Sequence, residues 1–112
     1  MYYIYIVKER QKGYNQVDYI KGDLTFEWDE NKNRSNITKH GIDFRTAALV
    51  FNDPDYIDIY DEKHSFINEE RHLIIGTIGK VILVVCIFYG QSTRIISARL
   101  ATDAEEEIHY GR

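Results

Sequence analysis

The stretch HLIIGTIGKVILVVCIFYGQSTRIISARL, residues 72–100, decides the fold. Its middle, Val81 to Tyr89, is apolar throughout, which marks a central strand buried on both faces. Gly79-Lys80 before it and Gly90 to Ser92 after it are short turns, so the flanking strands, His72 to Ile78 and Thr93 to Leu100, run antiparallel to it. Cys86, the only cysteine of the chain, sits in this run and reads as a small packed hydrophobe. No internal disulfide can form, which fits a reducing compartment.

Working outward, Thr102-Asp-Ala-Glu105 is a capping box that opens a short final helix. Upstream, Tyr56 to Tyr60 alternates as a strand, and the polar residues 61–70 form a loop carrying His64. Phe44, Ala47, Ala48 and Phe51 mark the core face of a helix that starts near Asp43 and ends at Asn52-Asp53-Pro54. Before it, Phe26-Glu-Trp-Asp29 reads as a short strand ending at an N-cap, and a helix runs from there to His40 with Gly41 as its stop. Ile37 is the only large aliphatic in that helix, so no broad greasy stripe holds it. Residues 1–22 are read as an N-terminal extension, either a β-hairpin (Tyr3, Tyr5 and Val7, then Val17, Tyr19 and Ile20) or a leader, ahead of a domain over 23–112. The expected class is α+β: a small antiparallel sheet with two N-terminal helices and a short C-terminal helix.

The composition, 44% hydrophobic and 29% charged over 112 residues, is that of one globular domain. The longest apolar run is too short to span a bilayer, and the first residues lack a basic start, so a cytoplasmic location is expected and no membrane partner. The net charge of −4 speaks against a nucleic-acid binder until its distribution is considered. From Arg71 to Thr102 the charges are Arg71, Lys80, Arg94 and Arg99, with no acid among them. A local positive field is what an anionic substrate feels.

No metal-ligand spacing, phosphate-cradling glycine loop or dinucleotide fingerprint is present, so neither metal nor cofactor is expected. Metal-independent acid–base chemistry is then the main catalytic option. Lys32, Asn36 and His40 stand four apart on one helical face with Lys39 at its border, a row able to touch successive phosphates, though also an ordinary solvated face. Arg71, Arg94 and Arg99 come from neighbouring strands and suit a phosphate, which arginine grips bidentately. Arg94 and Arg99 are an odd number of residues apart, so either a bulge intervenes or only one of them serves a shared site. His64, in its loop, is placed to take a proton from a ribose hydroxyl or give one to a leaving oxygen.

Phe26-Glu-Trp-Asp29, Lys32, Asn36 and Lys39-His40-Gly41 resemble the opening signature of the BrnT toxin family. Phe44, Ala47 and Val50-Phe51-Asn-Asp-Pro54 continue it, as do His64-Ser65, Glu70-Arg71, Ile75-Gly76, Arg94-Ile-Ile-Ser-Ala-Arg99, Ala101, Glu105 and Tyr110. The resemblance covers about residues 26–110 and implies a RelE-like ribonuclease fold. It also implies a partner, a BrnA-like ribbon-helix-helix antitoxin that covers the active surface and alone brings the complex to promoter DNA.

The expected function is that of a toxin that cuts RNA without a metal and slows translation. The ribose 2′-oxygen attacks the adjacent phosphate, leaving a 2′,3′-cyclic phosphate. Arg71 with Arg94 or Arg99 stabilises the anionic transition state, and His64, or else His40, moves the protons. Lys32, Asn36, Lys39, His40 and Lys80 bind the RNA. Two rivals are a non-catalytic protein-binding module and a toxin of the same fold with a non-RNA target.

Overall fold

The computed structural model describes residues 13–111. The first arm of the expected N-terminal hairpin, Tyr3 to Val7, lies outside them. The elements are β1 (Gln16–Lys21), β2 (Leu24–Asp29), α1 (Glu30–His40), α2 (Phe44–Ala47), a 3-10 turn (Ala48–Asn52), β3 (Ile57–Tyr60), β4 (Glu70–Thr77), β5 (Val81–Tyr89), β6 (Ser92–Leu100) and α3 (Asp103–Tyr110).

The expected antiparallel sheet with two N-terminal helices is corrected on three points. The sheet has six strands in the order β1-β2-β6-β5-β4-β3. It is mixed, because β2 pairs parallel to β6, with Glu27 opposite Arg94. Short turns disclose only neighbours in sequence, whereas this pairing joins segments some 65 residues apart through the intervening meander. The helices also follow two strands, and the second is a single α-turn that tightens into the 3-10 turn. β1 supplies the missing strand by pairing antiparallel with β2. The meander β3–β4–β5–β6 is antiparallel throughout.

The main core lies between the helices and one face of the sheet, and a smaller cluster of Ile75, Val81 and Leu83 is buried on the other face. Phe26 and Trp28 of β2, Phe44, Ala47, Ala48 and Val50 of the helical corner, Ile74, Val84, Cys86, Ile95 and Ala98 form one buried cluster. The Trp28 ring meets Phe44 edge-on at 6.0 Å and carries the Arg45 guanidinium 5.2 Å from its centroid. Gly76 allows the 3-10 turn to close on β4, since a Cβ there would stand 2.7 Å from Val50 Cγ2.

α1 is held by polar atoms. Asn36, 5% exposed, donates to Ile42 O at 2.9 Å and Ala98 O at 2.8 Å, and accepts from Ala98 N at 3.0 Å. Fully buried Asn33 accepts from Phe44 N at 2.8 Å and donates to Glu30 at 3.1 Å. Asp29 caps the N-terminus, and Gly41, with φ of 70°, closes the other end in the left-handed region. α3 opens on the Thr102–Glu105 capping box and is pinned by His109 Nε2, 2.8 Å from Asp53 Oδ2. Burial raises the Asp53 carboxyl, but bonds from Thr77 N–H, Asp55 N–H and His109 outweigh it and leave Asp53 below its usual range. Among the described residues no helix is long and apolar enough to cross a membrane.

Candidate active site

The second face of the sheet carries the charge. In β6 the register shifts: Val85 faces Ser97, but Cys86 faces Ile95, so Ile96 is an extra, bulged residue. Ile95 and Ala98 therefore both enter the core although three residues apart. Arg94 and Arg99, each adjacent to one of them, are both turned to the opposite face. The parity conflict in the sequence is resolved by this bulge.

On that face Arg71 (β4), Ile87 (β5) and Arg94 (β6) stand in one cross-strand row. Two strand spacings separate the arginine Cα atoms, about 10 Å. Ile87 is 3% exposed between them. Arg94 Nη1 is held by Glu27 Oε2 at 2.9 Å and Gln16 Oε1 at 2.9 Å, and Glu27 also accepts from Ser92 Oγ at 2.9 Å. Glu27 is 1% exposed, and this set of donors compensates its burial. Arg71 Nη2 lies 3.6 Å from Glu69 Oε1, while its Nε is buried without a hydrogen-bond partner.

Tyr89, next along β5 on this face, hydrogen-bonds Glu69 through its side chain. Burial first, and then the charge of Glu69, raises its hydroxyl above the ordinary range and keeps it protonated. Glu27, Glu69 and Tyr89 escape a reading of the sequence, since acids beside an acidic surface carry no signature. The alternation Phe26-Glu27-Trp28, with a lone acid between two core aromatics, was the available signal.

The other expected residues fall into three places. His64 sits in the β3–β4 loop, exposed, with Nδ1 2.8 Å from Asp61 Oδ2. Its neighbour Ser65 accepts Arg71 N–H on Oγ at 2.9 Å, so the loop is tied to the arginine row. Arg99 faces Leu83, four residues along β5 from Ile87, and grips Glu105 bidentately at 2.7 and 3.0 Å. That bond holds the Glu105 carboxyl down at about 2 and ties β6 to α3. Lys80 is at the β4–β5 turn, the end of the sheet away from Arg71.

Lys32, Asn36, Lys39 and His40 line a groove of about 320 Å³ with Asn31, Ser35, Ile96 and Ser97. The bulge thus forms part of that groove, and Asn36 reaches it with its amide already engaged in the fold. No group of three or more His, Cys, Asp or Glu side chains among the described residues is arranged to hold a metal.

Residues 28–105 match the family model described as the ribonuclease toxin, BrnT, of type II toxin–antitoxin systems. Among solved structures, the Brucella abortus ribonuclease toxin BrnT superposes with a TM-score of 0.53 at 26% sequence identity. The match covers 68% of this chain and 94% of that one. No curated protein matches.

Proposed function

The chain belongs to the BrnT family of ribonuclease toxins of type II toxin–antitoxin systems, and on that premise we propose that Arg71 and Arg94 form the RNA-cleaving site. The observation that carries this reading is their common row across Ile87 on one sheet face. A phosphodiester seated over Ile87 meets a guanidinium from each side, and both forks stabilise the charge that grows on the phosphoryl oxygens. Glu27 and Gln16 hold Arg94 in place before substrate arrives, so little reorganisation is needed.

The reaction is metal-independent. The 2′-oxygen attacks the adjacent phosphorus in line, the bond to the 5′-oxygen breaks, and the products are a 2′,3′-cyclic phosphate and a free 5′-hydroxyl. His64 moves the protons: its Nδ1 is taken by Asp61, which leaves Nε2 for substrate. Lys32, Lys39 and His40 guide the RNA backbone along the α1 groove, and Asn36 fixes the helix that carries them. Lys80 adds positive charge at the far end of the sheet, whereas Arg99 is taken up by Glu105 and ties β6 to α3.

A BrnA-like ribbon-helix-helix antitoxin neutralises the toxin by covering the arginine face, and the pair meets promoter DNA through the antitoxin. The toxin acts in the cytoplasm. The test is RNA cleavage by the purified chain, alone and in translating extract, with EDTA present. Cleavage that persists and leaves cyclic phosphate ends supports the scheme, and loss of cleavage with EDTA refutes it.

A further inference from the structure

At the rim of the sheet, where β5 turns into β6, a cavity of about 460 Å³ is lined by Ile67, Asn68, Glu70, Phe88, Tyr89 and Gly90. Glu70 and Phe88 are cross-strand partners on the helix-packed face, the face of His72 and Ile74, opposite the Arg71–Ile87–Arg94 row. The cavity is therefore separate from the proposed cleaving site. Directly opposed residues on one sheet face have Cβ atoms about 5 Å apart, so the Glu70 carboxylate stands beside the Phe88 ring. That ring is braced: His72 lies 4.3 Å from its centroid and 5.5 Å from that of Tyr60, and Asp58, 2.6 Å from His72 Nδ1, fixes the imidazole.

The Glu70 side chain is 60% exposed, and its contact in the fold is His72 Nε2 at 3.6 Å, beyond hydrogen-bond reach. Its carboxylate is thus left to meet a donor from outside. The charge around it has one sign. Residues 54–70, which comprise β3 and the loop leading to Glu70, hold six acids and one lysine. Such a corner attracts a cation and repels the phosphates of a nucleic acid.

We propose that this rim cavity receives an arginine side chain from a partner protein. The guanidinium stacks on Phe88 and its fork donates to the Glu70 carboxylate, the two contacts that a planar, delocalised cation makes best. The Asn68 side-chain carbonyl accepts from the remaining N–H groups. Ile67, 64% exposed, covers the aliphatic stem. Tyr60, 52% exposed on the same face, offers apolar contact to a residue flanking the arginine. Lysine fits less well, because an ammonium has no plane to lay on the ring and no fork for the carboxylate.

The test titrates the full, isotope-labelled chain with the capped tripeptide Leu-Arg-Leu and follows the backbone amide resonances. The shifts of Asn68, Glu70, Phe88 and Gly90 should move and saturate together, and the tripeptide Leu-Lys-Leu should bind more weakly. Glu70→Gln, shown to be folded by the same spectrum, should weaken Leu-Arg-Leu about 10-fold, in keeping with the loss of one charged hydrogen bond. Glu106→Gln, at an exposed position of α3, should leave binding unchanged and so excludes a general charge effect. The proposal is overturned by the absence of saturable shifts at these residues, by equal binding of the lysine peptide, or by equal binding to Glu70→Gln. An equal loss in Glu106→Gln overturns it too, and displacement of the peptide by a short oligoadenylate would give the cavity to RNA instead.

Discussion

The two faces of the sheet are built from the same strands, but only one of them carries the arginines. Phe26 and Trp28 enter the core, while Glu27 between them holds Arg94. Ile74, Val84 and Ile95 pack under the helices, while Arg71 and Arg94 stand on the other side with Ile87 between them. One face is stabilised by burying apolar surface throughout, and the other joins a small buried cluster of Ile75, Val81 and Leu83 to a charge network around Arg71 and Arg94. The difference teaches that residues adjacent in sequence carry opposite duties, so substitutions one position apart should fail in different ways.

The largest effect is expected on the core face. Trp28→Ala removes a fully buried ring packed on Tyr19 and Phe44, and should cost about 3–5 kcal/mol in denaturant unfolding. A loss under 1 kcal/mol would place Trp28 outside the core. On the opposite face, Arg71→Ala should lower cleavage about 100-fold or more with the cooperative unfolding transition intact. Equal losses of stability and activity there would erase the distinction between the faces.

Asn36→Ala tests whether a polar latch can do the work of a hydrophobic stripe. It leaves Ala98 N–H and two carbonyls without their partner and should cost about 2–3 kcal/mol, seen as a lowered unfolding midpoint. Glu105→Gln is a smaller change, about 1 kcal/mol or less. Its signature is pH dependence. The carboxyl is depressed from 4.5 to about 2, so its contribution is full above pH 4.5 and is lost as the pH falls through about 2. The wild type should therefore lose more stability than Glu105→Gln across that window. The smallest effect is that of Lys32→Ala, which should flatten the salt dependence of RNA binding by about 0.7 in log–log slope.

Much of the local structure was legible in the sequence. The β3–β6 meander, the buried β5, the Asp29 and Gly41 caps and the Thr102–Glu105 box all follow from periodicity and side-chain chemistry confined to a few neighbouring residues. The parallel β2–β6 pairing was not, because strand partners far apart leave no local trace. The bulge at Ile96 showed only as a conflict, an odd spacing between two arginines that chemistry would place together. The roles of Asn33 and Asn36 were hidden for a related reason: a buried asparagine and a solvated one read alike until their partners are seen. The proposed site divides likewise: Arg71 and Arg94 stand out in the sequence by their charge, whereas Glu27, Glu69 and Tyr89 beside them do not.

The central claim, that Arg71 and Arg94 together form the cleaving site, is tested most directly by RNA-end mapping with Arg71→Ala and Arg94→Ala, each checked for its unfolding transition. We expect both folded variants to lose the cuts made by wild type and to lose growth arrest with them. Wild-type cleavage by either folded variant would contradict the account.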